Sequence, residues 1–191
     1  ELPAGYGSRT LVVTEANEAL HLSALHQRGP SFANALVQCF VGANTQVFIA
    51  RALELMLLPQ QINVPSHDWW CYQVVTGCGG QFVYDSIPTL RYRQHQGNEV
   101  GSNRGARARL ERLWTLLQGD YGRWNSQNLD TLALLSRYLT PQAQKCLAQF
   151  QRARSAPWFW QRLLALRRCG VYRQSRMQTL ALVGVSLIRR L

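Results

Sequence analysis

The sequence predicts an α/β fold followed by a helical extension, and three observations carry that prediction. Over residues 1–103, short β-like runs alternate with segments whose apolar residues recur at helical spacing. From Arg104 almost to the end the spacing is helical throughout, so the division falls at residues 1–103 and 104–191. The charge changes at nearly the same place. Residues 1–90 hold three arginines and six acids, whereas residues 91–191 hold seventeen arginines, one lysine and four acids. A chain of 191 residues with 47% hydrophobic content is long and apolar enough to bury one core and does not have the composition of a disordered protein.

Taken in order, Thr10 to Thr14 is a β-like run. Asn44 to Leu58 has helical spacing, with Val47, Phe48, Leu53 and Met56 apolar and Pro59 as its stop. Ser66 stands where an N-cap belongs. The helix it opens is expected from His67 to Cys78, closed by Gly79-Gly80. Gln81 to Tyr84 and Thr89 to Tyr92 read as two strands separated by Ser86 to Pro88. Farther on, Gly119 to Gly122, Thr140-Pro141, Ala156-Pro157 and Gly170 punctuate four or five helices.

Several classes of protein are set aside by composition. Five cysteines at irregular spacing, with no CxxC pair, read as reduced and mostly buried thiols of a cytosolic protein. The apolar runs are too short or too interrupted for a membrane span, and the best candidate, Leu180 to Ile188, is about half the needed length. The chain opens on Glu1 and shows no signal-peptide pattern, which reads as a fragment or a processed form. The basic second half implies an anionic partner: lipid headgroups, nucleic acid or diphosphates.

Three constellations carry chemistry. In Ser66-His67-Asp68-Trp69-Trp70, an acid in the first turn of a helix is favoured by the free amide groups there, so Asp68 is either a cap or a working carboxylate. Two adjacent tryptophans on one helix are expected to leave at least one ring lining a groove. Aromatic faces beside a carboxylate suit a sugar ring. The segment from Arg91 to Asn98 follows a strand and carries Arg93, Gln94 and His95. These groups suit a diphosphate or a metal, or else form the solvated face of an edge strand. Finally, Pro30 to Gln38 leads to Gly42-Ala43-Asn44-Thr45. This turn is small enough for close ligand approach and equally suited to capping a helix.

In this order, SFANALVQ, GANTQVF, SHDWW and VYDSIPTLRYRQHQGNEVGSNRG resemble bacterial family 2 glycosyltransferases of the rhamnosyltransferase-like kind. The likeness runs from about Tyr6 to Gly105. It implies that the chain is the C-terminal, acceptor-side part of a GT-A fold followed by the helical extension. It further implies inverting transfer of a sugar such as rhamnose from a nucleotide-sugar donor to a glycan or lipid-linked glycan acceptor, the precursor of a surface polysaccharide or O-antigen. Asp68 matches the catalytic base, and His95 a position associated with the diphosphate or its metal. His67, Trp69, Trp70, Asn44, Thr45, Arg93, Gln94 and Asn98 fall where substrate is bound. The implied cofactor is a divalent metal, Mg or Mn. Its DxD ligands are expected outside this chain, because the four aspartates at 68, 85, 120 and 130 form no DxD. Without the half that carries DxD, the chain is expected to be inactive alone.

Residues 151–191 contain nine arginines and no acid, with Trp158, Phe159 and Trp160 beside them. A basic aromatic helix suits the cytoplasmic face of an anionic membrane, or else packs on the domain with its arginines solvated. The competing non-catalytic reading is a basic module on membrane or nucleic acid. No recognised nucleic-acid motif is present, so nucleic acid is not an expected partner.

Overall fold

The computed structural model describes residues 1–94 and 120–191. The first region contains β1 (Ala4–Val13), β2 (Ala19–Leu22), α1 (Phe32–Ala35), β3 (Val47–Phe48), α2 (Ala50–Leu57), α3 (His67–Gly77) and β4 (Gln81–Arg93). The second contains α4 (Asp120–Leu134), α5 (Pro141–Ser155), α6 (Phe159–Cys169) and α7 (Arg176–Leu187). It is therefore a mixed α/β architecture with a helical C-terminal region.

β1 is the middle of the described sheet. It runs parallel to β4 from Ala4 opposite Gln81 to Val13 opposite Arg93. Its other edge is shared by two short antiparallel strands: β3 at Gly5 and Tyr6, and β2 from Leu11 onward. A parallel pair needs a long crossover, and here α1, α2 and α3 lie within it. β1 is longer than the expected run because its first half contains Gly5 and Gly7, which carry no strand signal of their own. Their missing side chains matter in three dimensions. A methyl group on Gly5 would come within 2.9 Å of Phe48 and of Phe82, and one on Gly7 would collide with Val41.

The two expected strands before Arg93 are one strand. Its register with β1 slips between Ser8 and Arg9, where Ser86 and Ile87 are extra, and again between Arg9 and Thr10, where Thr89 is extra, with Pro88 opposite Arg9 between the two slips. Pro88 cannot donate to a ladder, so the strand bends there without ending. The expected helix over Asn44 to Leu58 begins only at Ala50. Residues 43–45 form a 3-10 turn, and Val47–Phe48 pair with β1 before the helix can start.

α3 begins and ends close to where the sequence places it, although the Ser66 hydroxyl makes no capping bond. Ser66 is extended, and Gly79 takes the left-handed φ of +79° that a side chain would resist. Its residues Trp69, Trp70, Tyr72, Gln73, Val74 and Val75 are all buried, so the helix is enclosed around most of its circumference. The breaks at Thr140-Pro141, Ala156-Pro157 and Gly170 fall as expected. Thr140 accepts the Ala143 amide, Pro141 opens α5, and Gly170 closes α6 at φ +71°. Gly122 does not break its helix. It lies inside α4, where the backbone oxygen of Arg190 would be 3.3 Å from an added methyl group.

One hydrophobic cluster joins the two regions, running from Phe32, Trp69 and Val74 to Leu132, Phe150 and Leu182. Polar ties follow the same seam. Tyr121 donates to the Val37 carbonyl at 2.7 Å, and Asn34 donates to the Tyr172 carbonyl at 2.8 Å.

Candidate functional site

The start of α3 holds the Asp68 carboxylate. The Ser66 hydroxyl makes no capping bond; instead Asp68 Oδ1 accepts the amide of Trp69 at 2.9 Å. The first turn is held to the segment before β3 by Gln46. Its amide donates to the Asp68 carbonyl at 3.3 Å and to the Val41 carbonyl at 3.1 Å. Asp68 is half-buried, with Cys39 and Cys71 beside it. Burial pushes the Cys71 thiol up to about 11, and the Asp68 charge adds to the shift. Cys39 is raised further, again chiefly by burial and then by Asp68. Both are therefore neutral thiols near pH 7, without the character of a nucleophile. No described lysine, arginine or histidine forms an ion pair with Asp68. Among the described residues, the carboxylate thus sits at a helix start beside two neutral thiols, a setting that serves a cap or a proton acceptor.

The expectation that one of two adjacent tryptophans lines a groove is overturned. Trp69 is 7% exposed and donates from its indole to the Ala35 carbonyl, while Trp70 is 3% exposed and donates to the Met56 carbonyl. About 100° separates neighbouring residues on a helix, and α1 and α2 cover the two directions. Neither ring presents an open face to a sugar. Thr45 is also corrected. Its hydroxyl is buried, donating toward the Ser8 and Gly42 carbonyls and accepting the Ser8 amide at 3.2 Å, so it locks the turn to β1. Asn44 and His67 are exposed, His67 next to Asp68 in the chain.

Arg93 and Gln94 lie at the far end of the sheet. Arg93 pairs with Val13, and the Gln94 amide donates to the Val13 carbonyl. Ser8, the residue that holds Thr45, is five positions earlier on β1, about 17 Å along the strand. His95 and Asn98 lie outside the described residues. Among the described residues no three His, Cys, Asp or Glu side chains come together as a metal site. A cleft of about 550 Å³ lies at the opposite end of α3, between Pro3, Phe32, Thr76 and Gly80, and has no titratable side chain in its lining.

Sequence reasoning missed Gln46, Cys39 and Cys71 as neighbours of Asp68. Only Cys71 carried a local signal, three residues along the same helix. It also missed His26, which is held between Phe40 and Tyr84 with ring centroids 5.0 and 5.6 Å away. The SFANALVQ segment turns out to be a joint. Ser31 caps α1 and bonds Tyr172, Asn34 is fully buried, and Gln38 accepts the Gln174 amide.

Fold and site together define a mixed α/β protein with one half-buried carboxylate at the start of its most enclosed helix. No family model and no solved structure matches the chain. Over 47 residues the chain is 38% identical to dTDP-rhamnosyl transferase RfbG of Shigella flexneri. The match takes in 25% of this chain and 16% of that protein. The chain is thus similar, over a quarter of its length, to a glycosyltransferase.

Proposed function

We propose that this chain is the acceptor-side part of an inverting glycosyltransferase that moves a deoxyhexose such as rhamnose from a nucleotide sugar to a surface-glycan precursor, with Asp68 as the base. The observation that carries the reading is the Asp68 carboxylate at the start of α3, with no cationic partner among the described residues and two neutral thiols beside it. The partial likeness to dTDP-rhamnosyl transferase RfbG supports the reaction class and the type of donor. In the proposed step Asp68 takes the proton of the acceptor hydroxyl. The acceptor oxygen bonds to the anomeric carbon on the face opposite the leaving group. The bond from that carbon to the diphosphate breaks, and the nucleoside diphosphate departs with the electron pair. Among the described residues no three metal-ligating side chains come together, so the ligands of the divalent metal that such enzymes use would lie outside them.

Asp68→Asn separates this role from capping. Asparagine still accepts the Trp69 amide and loses only the charge that favours a helix start, a stability cost of about 0.5 kcal/mol. Turnover by the complete polypeptide is expected to fall by roughly two to four orders of magnitude, with donor affinity retained. Near-normal turnover by the substituted protein removes Asp68 as the base and leaves it a helix-start acceptor.

A further inference from the structure

The C-terminal helices expose an apolar surface that the fold does not use. α7 buries Leu182, Val185 and Ser186, and turns Met177 (82% exposed) and Leu180 (70%) outward, with Ile188 (55%) just past its end. Met177, Leu180, Gly184 and Leu187 recur at helical spacing, so this is a stripe and not scattered exposure. No charged residue lies between Arg176 and Arg189, which bracket the stripe. A second apolar group lies near the Arg189 end of α7. Trp158, Phe159 and Trp160 at the start of α6 are 61, 58 and 53% exposed. The Arg189 guanidinium donates to the Pro157 carbonyl at 2.8 Å, which fastens the end of α7 beside that aromatic turn. The fastening is firm: Arg154 donates to the backbone oxygen of Leu191 at 2.9 Å, and Leu191 is buried.

From these observations we infer that the outward stripe of α7 and the 158–160 turn together seat the protein on an anionic lipid surface, with α7 lying in the plane of the interface. α7 has 12 residues, about 18 Å of helix. A bilayer core is about 30 Å thick, and no described helix is long and apolar enough to cross one. An apolar stripe with cations at its ends and tryptophans at its border is the pattern of a helix that lies on a membrane. The choice of occupant follows from charge. Residues 151–191 carry no acid, and Arg152, Arg167, Arg168, Arg176, Arg189 and Arg190 among their arginines are exposed, so a second copy of this surface would set cations against cations. Anionic headgroups neutralise them, and each arginine brought to such a surface strengthens binding about fivefold. The inference rests on exposure and charge alone and does not depend on the transferase reading.

The test uses the complete polypeptide, phosphatidylcholine vesicles, and vesicles of phosphatidylcholine and phosphatidylglycerol in equal parts. Co-sedimentation is expected with the anionic vesicles, more than tenfold weaker with the neutral ones, and declining as salt rises. Met177→Gln combined with Leu180→Gln is expected to weaken anionic-vesicle binding about tenfold, because two apolar side chains leave the interface. Since both positions are exposed, the thermal melting of this variant stays that of the parent. Equal binding to both vesicle types, binding to neither, or unchanged binding by the Gln variant overturns the inference. A concentration-dependent dimer that the Gln variant abolishes also overturns it, and assigns the stripe to a contact between copies.

Discussion

His26 makes the stability of this fold depend on pH in a calculable direction. The ring is half-buried between Phe40 and Tyr84, and burial, with a smaller contribution from the Arg9 charge, lowers it from 6.5 to about 4. Below its ordinary value the unfolded chain binds a proton that the folded chain refuses until about pH 4. Stability is therefore complete above about pH 6.5 and is lost as pH falls from there toward 4. A shift of this size corresponds to about 3 kcal/mol. The ring keeps some contact with water, and screening reduces the expected effect to about 1–2 kcal/mol. The measurement is urea unfolding at about pH 7.5 and about pH 5, for the parent and for His26→Phe. Phenylalanine keeps a ring against Phe40 and Tyr84 and cannot titrate, while every other group titrates equally in both proteins. The parent is expected to lose about 1–2 kcal/mol more than the variant between the two conditions. Equal losses would show that His26 is protonated in the folded protein, and the burial argument would fail.

Two further outcomes follow from the packing. Trp69→Ala and Trp70→Ala are each expected to cost about 3–5 kcal/mol in urea unfolding, because both rings are buried and hydrogen-bonded. A cost below about 1 kcal/mol at either position would instead identify a groove-lining ring. The Cys146 and Cys169 sulfurs, on α5 and α6, lie 3.0 Å apart. Diamide is expected to join them, taking up the two thiol protons and electrons. Non-reducing peptide mapping detects the link, and stability rises by about 3 kcal/mol. Cys146→Ser should show neither change.

The sequence by itself determined the features that depend on nearest neighbours in the chain. Ser66 and Gly79 bounded α3 to within a residue, and Thr140-Pro141, Ala156-Pro157 and Gly170 placed the ends of α5 and α6. Such signals are legible because a cap, a missing amide proton or a left-handed φ acts on the local backbone whatever surrounds it. The α/β-then-helical order and the separation of charge were legible for the same reason. Tertiary structure alone decided the rest. The first half of β1 exists because Phe48, Phe82 and Val41 pack where Gly5 and Gly7 have no side chains. The helix expected from Asn44 gives way to β3 because pairing with β1 satisfies backbone groups that helical spacing alone would have used differently. Trp69 and Trp70 are both buried because α1 and α2 cover two sides of α3, which no periodicity within α3 could reveal. Asp68 has its particular setting because Gln46 and Cys39, 22 and 29 positions earlier in the chain, are brought to it by the fold. Burial and long-range hydrogen bonds depend on which surfaces meet, and that is settled only when the whole chain has closed on itself.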